Sequence, residues 1–176
     1  MSHAILDSNE TQSVADDRWT VLQAEKNGKP LLIRYRTQRP PDVEPSAFPF
    51  LLSATWTYRK NDAGLPAPEE MALMDKFEDA LASALEASRT AYLMVILTGN
   101  GERDWLWYTC GEAEAMQQVN EALSGHQPYP VQFSVQQDPG WRAYTQFDTG
   151  SSFPSAGRAF GVLQWAAAKA MNVFRR

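Results

Sequence analysis

Hydrophobic positions along the chain follow two periods, two residues in some segments and three to four residues in others. Between Phe50 and Gln136 these segments succeed each other as strand, long helix, strand, strand, shorter helix and strand. A βαββαβ order is typical of a ferredoxin-like α+β sandwich. In front of it, two short alternating segments flank Asn27 and Gly28, which suit the tight turn of a β-hairpin. The pattern therefore predicts a ferredoxin-like α+β domain preceded by a β-hairpin.

The first strand of the predicted sandwich, residues 50–59, carries side chains of unequal size on its two faces. Because successive residues of a strand point to opposite faces, they form two sets. The heavier set is Phe50, Leu52, Ala54, Trp56 and Tyr58, and the lighter set is Leu51, Ser53, Thr55 and Thr57. We expect the heavier set to face the helices and the lighter set to line an open sheet face. The four sandwich strands are expected in the spatial order fourth, first, third, second, with the hairpin extending one edge.

Two segments show the helical period. The longer one opens on Pro66-Ala67-Pro68-Glu69-Glu70, where a proline near the first helical position and glutamates in the first turn suit a helix N-terminus. Its apolar positions recur at three and four residues as far as Leu85, and the pattern ends near Ser88. The shorter helix is predicted over residues 112–124. Both segments are amphipathic, so both are expected to cover one face of the sheet.

The chain divides into four segments. Residues 1–17 are polar and acidic and are predicted to form a disordered N-terminal tail. Residues 18–148 are predicted to form the single α+β domain. Residues 149–157 have the small, flexible composition of a linker. Residues 158–176 predict an amphipathic C-terminal helix.

The apolar stripe of the predicted C-terminal helix is Phe160, Leu163, Ala167, Met171 and Phe174. The same region is basic, because residues 151–176 hold four basic residues and no acidic one. Three interpretations of this helix follow, in order of preference. It docks on its own domain, it pairs with a second copy to form a homodimer, or it lies on an anionic membrane surface.

The overall composition, with 44% hydrophobic and 21% charged residues, is that of an ordinary globular protein. No apolar run reaches the roughly 20 residues of a membrane-spanning helix, and the N-terminus lacks the basic start and apolar core of a signal peptide. We therefore expect a cytoplasmic protein. The net charge is −5, and the part before residue 151 carries −9. This acidic body disfavours nucleic acid as a partner, because it repels phosphate groups.

Residue types that serve catalysis or metal binding are scarce. Cys110 is the single cysteine, so the sequence predicts no internal disulfide and no thiolate zinc site. The two histidines are His3, in the predicted tail, and His126, in a turn-forming segment where a solvated side chain is the simpler interpretation. We accordingly assign no catalytic residue, no metal ligand and no cofactor. The sequence favours a protein without enzymatic activity.

Short motifs follow one another along the domain. They are Leu32-Ile33-Arg34-Tyr35-Arg36, Trp56-Thr57-Tyr58, Leu65-Pro66, Glu69-Glu70, Phe77-Glu78-Asp79, Thr98-Gly99, Arg103-Asp104-Trp105-Leu106-Trp107-Tyr108, and Asp138-Pro139-Gly140-Trp141 with Tyr144. In this order the motifs resemble the bacterial family called domain of unknown function 695, over roughly Trp19 to Phe147. The resemblance implies a domain without an assigned activity, so it supplies no catalytic residue. That family is sometimes found beside, or compared with, ferredoxin-like regulators that bind and inhibit a ribonuclease, an association that favours a protein-binding regulator.

Arginine and tryptophan side chains form the candidate partner-binding group. Arg34 and Arg36 share one face of their strand, and Arg103, Trp105 and Trp107 share one face of theirs. If these faces coincide with the predicted open face, tryptophans lie there beside guanidinium groups, a surface suited to peptides or to aromatic or anionic ligands. The polar residues of that face are Thr55, Thr57, Gln132 and Ser134. The alternative, favoured by the usual burial of large aromatic side chains, is that the tail helix or a second copy covers both tryptophans.

The sequence leads to two functional hypotheses. The first is a regulator or adaptor that binds another protein through the arginine and tryptophan group. The second is a binder of a small-molecule or nucleotide-type ligand, or an enzyme. It would use an aromatic pocket formed by Trp56, Tyr58 and Trp141 beside Arg103. A deep pocket with convergent polar groups would favour the second hypothesis, and an exposed aromatic patch would favour the first.

Overall fold

The computed structural model describes residues 19–26 and 28–147. In chain order its elements are β1 (Trp19–Lys26), β2 (Lys29–Arg36), β3 (Phe50–Thr57), α1 (Pro68–Ala87), β4 (Ala91–Gly99), β5 (Glu102–Thr109), α2 (Glu112–Leu123), β6 (Val131–Gln137) and α3 (Arg142–Thr145). A short 3-10 turn, Pro45–Ala47, lies between β2 and β3. The predicted tail 1–17, linker 149–157 and C-terminal helix 158–176 lie outside the described residues.

The six described strands join one antiparallel sheet in the order β1-β2-β4-β5-β3-β6. The α+β class predicted from the sequence is confirmed. β6, β3, β5 and β4 are neighbours in the order expected for these four strands. The β1–β2 hairpin adds to the β4 edge, and Gly28 has the positive φ of 72° that its turn requires. β1 and β6 are therefore the two outer strands of the described sheet.

The face of the sheet that packs against α1 and α2 holds the larger hydrophobic core. Leu52, Ala54 and Trp56 of β3 are buried there, so the predicted helix-facing set is confirmed. The helices contribute Met74, Phe77, Leu81 and Leu85 from α1 and Ala115 and Val119 from α2. Each fully buried leucine or phenylalanine stabilises the fold by about 1.5 to 3 kcal/mol relative to an exposed one. The three- and four-residue spacing of these side chains is thus what holds α1 and α2 on the sheet.

The opposite face is largely buried, which corrects the expectation of an open polar face. Leu51 and Ser53, from the lighter set of β3, are both buried. They lie on the sheet face that carries a second core, and this core includes Tyr108 and Trp141. The rings of Tyr108 and Trp141 stack with centroids 4.1 Å apart and planes inclined by 8°. The chain after β6 therefore folds back over this face, and the exposed polar side chains lie towards β6.

Asp138 fixes the geometry of that return segment. Its carboxylate accepts hydrogen bonds from the backbone N–H groups of Arg142 (3.0 Å) and Ala143 (3.1 Å), at the start of α3. It also accepts one from the hydroxyl of Tyr108 at 2.7 Å. Trp141 adopts a positive φ of 50°, and its indole N–H donates to the carbonyl oxygen of Phe48 at 2.9 Å. The Asp138-Pro139-Gly140-Trp141 motif is therefore a structural corner that fixes the second core.

Candidate partner-binding groove

The candidate arginines and tryptophans all lie on the helix-covered face of the sheet. Arg34 is opposite Ile96, and Ile96 is opposite Trp105, so these three side chains share one face. The hypothesis that this group shares a face with Thr55, Thr57, Gln132 and Ser134 is therefore wrong. Trp105 and Trp107 have no exposed surface. They are buried in the core beneath the helices of their own domain and form no binding surface.

Glu78 of α1 binds three donors from two strands. One carboxylate oxygen accepts a hydrogen bond from the guanidinium group of Arg34. The other accepts from Nη2 of Arg103 and from Nε1 of Trp105, each at 2.9 Å. Charge-assisted hydrogen bonds of this kind are about twice as strong as neutral ones. Glu78 therefore joins α1 to β2 and to β5 through one side chain.

Glu86, two turns further along α1, makes the second ion pair. Its two oxygens accept hydrogen bonds from Nη2 of Arg36 at 2.7 and 2.9 Å. The backbone N–H of Leu93 reaches the same carboxylate at 3.3 Å. The side chain of Arg36 is only 5% exposed, whereas that of Arg34 is 38% exposed. Of these two arginines, Arg34 is the one that solvent or a partner can reach.

Three arginines and three carboxylates form ion pairs at this site. Arg34, Arg36 and Arg103 share the two closely bound carboxylates of Glu78 and Glu86. A third carboxylate, that of Asp75, lies 3.5 Å from Arg103 and is mostly exposed. Burial lowers the pKa of Arg34 from its ordinary value, and the nearby charge of Arg103 lowers that pKa further, whereas the charges of Asp75 and Asp79 oppose the shift. Arg34 therefore lies among carboxylates as well as beside a second guanidinium group.

Trp19 of β1 lies over both Arg34 and Arg36. Its ring lies 5.0 Å from the guanidinium carbon of Arg34 and 5.3 Å from that of Arg36. Each such cation–π contact is worth about 0.5 to 2 kcal/mol, depending on solvent exposure. A groove of about 470 Å³ opens beside this ring, between the β1–β2 hairpin and α1. We call it the hairpin–helix groove, and its lining is Trp19, Arg34, Arg36, Glu78, Ala82, Ser83, Glu86 and Leu93.

β1 forms the outer wall of the hairpin–helix groove and an outer edge of the described sheet. It pairs with β2 along its whole length, from Trp19 opposite Arg36 to Lys26 opposite Lys29. No described strand pairs with its other side. Val21 lies opposite Arg34. Among the described residues it is the large hydrophobic residue that is exposed to solvent, with 65% of its surface accessible. A strand edge, an exposed valine and the groove therefore lie side by side.

The comparison with protein families covers all of these elements. A family model of DUF695 matches residues 17–147. The chain belongs to DUF695, a family of unknown function. No curated protein and no solved structure matches the chain. The matched range includes Trp19, the arginines and both glutamates of the hairpin–helix groove.

The three residues predicted to form an aromatic pocket, Trp56, Tyr58 and Trp141, lie in two different cores of this DUF695 domain. Trp56 and Tyr58 belong to the core beneath α1 and α2, whereas Trp141 belongs to the core on the opposite face. All three side chains are buried and use their polar atoms internally. Trp56 donates to Glu70 at 3.0 Å, and the hydroxyl of Tyr58 donates to the carbonyl oxygen of Gly64 at 3.0 Å. These residues stabilise the domain and do not converge on a ligand site.

Other surface features of the DUF695 domain contain fewer charged and aromatic groups that could bind a partner or a ligand. A second groove, of about 580 Å³, runs between the outer sides of α1 and α2 and is lined mainly by small side chains beside His126. Within residues 19–26 and 28–147, no cluster of three or more histidine, cysteine, aspartate or glutamate side chains could hold a metal ion. Over the same residues, no helix is long and apolar enough to cross a membrane.

Trp19, Glu78 and Glu86 are functional candidates that sequence reasoning missed. Glu78 follows Phe77 directly and falls within the otherwise apolar stripe of α1. A carboxylate at such a position needs a cationic partner when the helix packs. Glu86 lies two turns later on a neighbouring part of the helix surface. Together with Arg34 and Arg36, which follow the apolar run Leu31-Leu32-Ile33 in β2, this spacing was the available signal for an arginine–glutamate site.

Proposed function

We propose that this chain is a regulator or adaptor without enzymatic activity that binds another protein at the hairpin–helix groove. The observation that carries the proposal is the position of Trp19, which lies over Arg34 and Arg36 at the mouth of the groove, beside the edge of β1 that no described strand pairs with. Tryptophan and arginine are enriched among the residues that dominate protein–protein binding energy. Exposed Val21 adds apolar contact area next to them.

The chemistry of the groove supports recognition and not proton transfer. Its cations are guanidinium groups, which stay protonated at neutral pH. Its carboxylates, Glu78 and Glu86, accept hydrogen bonds from those same groups. A general acid or base needs a proton that it can exchange near its operating pH. Fixed, mutually paired charges of this kind suit a surface that a partner recognises by shape and charge.

The proposal also covers the topology, the source and the cellular location of the protein. We propose a ferredoxin-like topology for β3 to β6 with α1 and α2, supported by the order of these strands in the sheet. The resemblance of the motifs to a bacterial family supports a bacterial source, and the composition supports a cytoplasmic one. For the predicted helix over residues 158–176, docking on its own domain is the preferred arrangement. Pairing of two copies is the second, and contact with a membrane surface is the third.

A second candidate function uses the same groove for a small-molecule or nucleotide-type ligand. A volume of about 470 Å³ falls within the range of small-molecule sites, and Arg34 beside the Trp19 ring suits an anionic, planar compound. Native mass spectrometry of the purified full chain distinguishes the two candidates. A bound compound that is lost from the Arg34→Gln variant would favour the ligand. The absence of a bound compound, together with the capture of a protein, would favour the function of binding another protein.

Partner capture followed by reconstitution tests the first candidate. The full chain serves as bait in a bacterial lysate, and a specifically retained protein is then purified and titrated against the chain by calorimetry. We expect Trp19→Ala and Arg34→Gln to raise the Kd by about tenfold or more, because each removes a central contact. Arg59→Gln changes an exposed arginine outside the groove and should alter the Kd by about twofold at most. No retained protein, or equal Kd values for all variants, would contradict the proposal.

A further inference from the structure

We propose that the predicted helix over residues 158–176 docks on the outer side of α1 and α2, along the groove between them. We call this the helix–helix groove, and its lining is Lys76, Asp79, Ala80, Ser83, Ala84, Ala122 and His126. The inference rests on the docking of this segment on its own domain proposed above, names its surface, and does not require a partner at the hairpin–helix groove. Three features support it: opposite net charges, small side chains along the groove, and a linker long enough to reach it.

Residues 151–176 and the two helices have opposite net charges. α1 contains six acidic residues and one lysine, and α2 contains three acidic residues and no basic one, so together they carry −8. Arg34, Arg36 and Arg103 bind carboxylates of α1 from the sheet, and exposed Arg89 follows the end of α1, which leaves −4. Residues 151–176 carry four basic residues and no acidic one. Because the Debye length at physiological salt is about 8 Å, this attraction does not require every basic side chain to touch a carboxylate.

Two other exposed surfaces of the described domain offer a basic segment less negative charge. In the hairpin–helix groove, the carboxylates of Glu78 and Glu86 are already bound by arginines. On the sheet face opposite the helices, exposed polar side chains belong to β6, which has no charged residue. The helix–helix groove is lined by Lys76 and Asp79, and exposed Glu121 directly precedes its lining residue on α2. The groove itself is therefore nearly neutral, and the negative excess lies on the helix surfaces around it.

Small side chains allow another helix to approach this groove closely. Three alanines and Ser83 contribute to its lining, and packed helices whose contact residues are small lie about 8 Å apart. The apolar stripe of the predicted helix, from Phe160 to Phe174, would lose contact with water when it packs against these alanines. The 19 residues of that helix would extend about 28 Å, close to the length of α1 with its 20 residues. Shape and length therefore match as well as charge.

The described residues end close to the same end of α1. The ring of Phe147 stacks on that of Tyr35, with centroids 5.0 Å apart. The next residue of that strand, Arg36, binds Glu86 at 2.7 Å, and Glu86 lies one turn beyond the groove residue Ser83. Ten residues separate Phe147 from the predicted helix and span at most about 33 Å, roughly three helix diameters. This length suffices to pass from one face of the sheet to the outer side of α1.

Paramagnetic relaxation in the ¹⁵N-labelled full chain tests this inference. A nitroxide spin label is attached to Ala168→Cys, in the middle of the segment, in a chain that carries Cys110→Ser so that the exposed native thiol does not react. We expect the label to weaken the amide signals of Ser83 and Ala122, which line the helix–helix groove. The amide signal of Ser134, on the opposite face of the sheet, should keep its intensity.

Reversal of one charge in the groove provides a second measurement. Asp79→Lys should lower the docked population about threefold, because it replaces an attraction by a repulsion at the surface. Asp62→Lys makes the same change in net charge at an exposed position outside the two helices, so it is the matched control and should have little effect. Salt at about 0.5 M should also weaken docking, because it screens exposed charges. Thermal unfolding of each variant verifies that it is folded.

Four outcomes would overturn the inference. Equal effects of Asp79→Lys and Asp62→Lys would exclude the groove, and loss of the Trp19 or Ser134 signals instead would place the segment elsewhere on the domain. Signal loss only in a mixture of spin-labelled and ¹⁵N-labelled copies would make a second copy the occupant. No signal loss at all would exclude docking, and binding of the chain to phosphatidylserine vesicles would then assign the segment to a membrane surface. None of these measurements involves a partner protein, so they leave the test of the hairpin–helix groove unaffected.

Discussion

Arg34 and Arg103 stand on different strands and bind the same carboxylate, that of Glu78. Arg103 is buried, whereas Arg34 is partly exposed at the hairpin–helix groove. Glu78 therefore has two roles. Its hydrogen bonds to Arg103 and Trp105 join α1 to β5, and its hydrogen bond to Arg34 holds that side chain in position at the surface. This division has consequences for stability and for binding that separate measurements can distinguish.

Removing the charge of Glu78 should destabilise the domain. Glu78→Gln keeps the shape of the side chain but leaves two guanidinium groups without their shared carboxylate, so we expect a loss of about 2 to 4 kcal/mol in the free energy of unfolding. Urea denaturation of the parent and the variant measures the difference. Asp79→Asn, at the neighbouring exposed carboxylate, is the control and should cost less than about 0.5 kcal/mol. Equal effects of the two substitutions would show that the shared ion pair contributes no stability.

Trp105 and Trp107 offer a matched test of one hydrogen bond. Both are fully buried, and they lie two residues apart on the same face of β5. Nε1 of Trp105 donates to Glu78, whereas Nε1 of Trp107 has no hydrogen-bond partner among the described residues. We expect Trp105→Phe to cost about 1 to 2 kcal/mol more than Trp107→Phe, because only the first removes a hydrogen bond to a charged group. Denaturant unfolding checks the difference, and a larger cost for Trp107→Phe would refute this explanation.

Tyr108 should make the folded state sensitive to alkaline pH. Burial raises the pKa of Tyr108, and its hydrogen bond to Asp138 raises that pKa further. Because the folded-state pKa lies above the unfolded value of about 10, the resulting stability is fully present below pH 10 and is lost as the pH rises above it. Between pH 9 and 11, the parent should lose about 1 kcal/mol more stability than Tyr108→Phe. Equal pH dependence of the two proteins in urea denaturation would contradict this assignment.

Trp19 should contribute to binding and little to stability. Its ring covers two arginine side chains at the rim of the groove and is only half-buried. We expect Trp19→Ala to lower the free energy of unfolding by about 1 kcal/mol. Trp107→Ala removes a fully buried side chain from the core and should cost about 3 to 5 kcal/mol. Similar losses in denaturant unfolding would show that Trp19 is a core residue and would weaken its proposed role.

The elements of the fold could be predicted where the two faces of a segment differ. β3 carries heavier side chains on one face, and that face packs against the helices as expected. α1 begins at Pro68, where the sequence predicts its first turn. β5 offers no such contrast, since Arg103 to Thr109 are buried on both faces. With Leu106 and Tyr108 as apolar as Trp105 and Trp107, the sequence could not decide which pair faces the helices.

The hairpin–helix groove could not be predicted because its parts are far apart in the chain. Trp19 on β1 and Glu78 on α1 meet only because the hairpin adds to the β4 edge, a choice that local side-chain patterns do not determine. The sequence did single out Arg34 and Arg36. Their carboxylate partners follow from the register of β2 against β4 and from the position of α1 over the sheet.

The most direct test of the hairpin–helix groove is a two-dimensional ¹H–¹⁵N NMR titration of the labelled full chain with the partner protein captured from the lysate. The account predicts that the indole N–H of Trp19 and the backbone amide of Val21 shift when the partner is added. The indole signals of Trp56 and Trp141, which lie in the two cores, should stay in place. A partner that leaves Trp19 unchanged and shifts residues beside His126 or Trp141 instead would contradict the account.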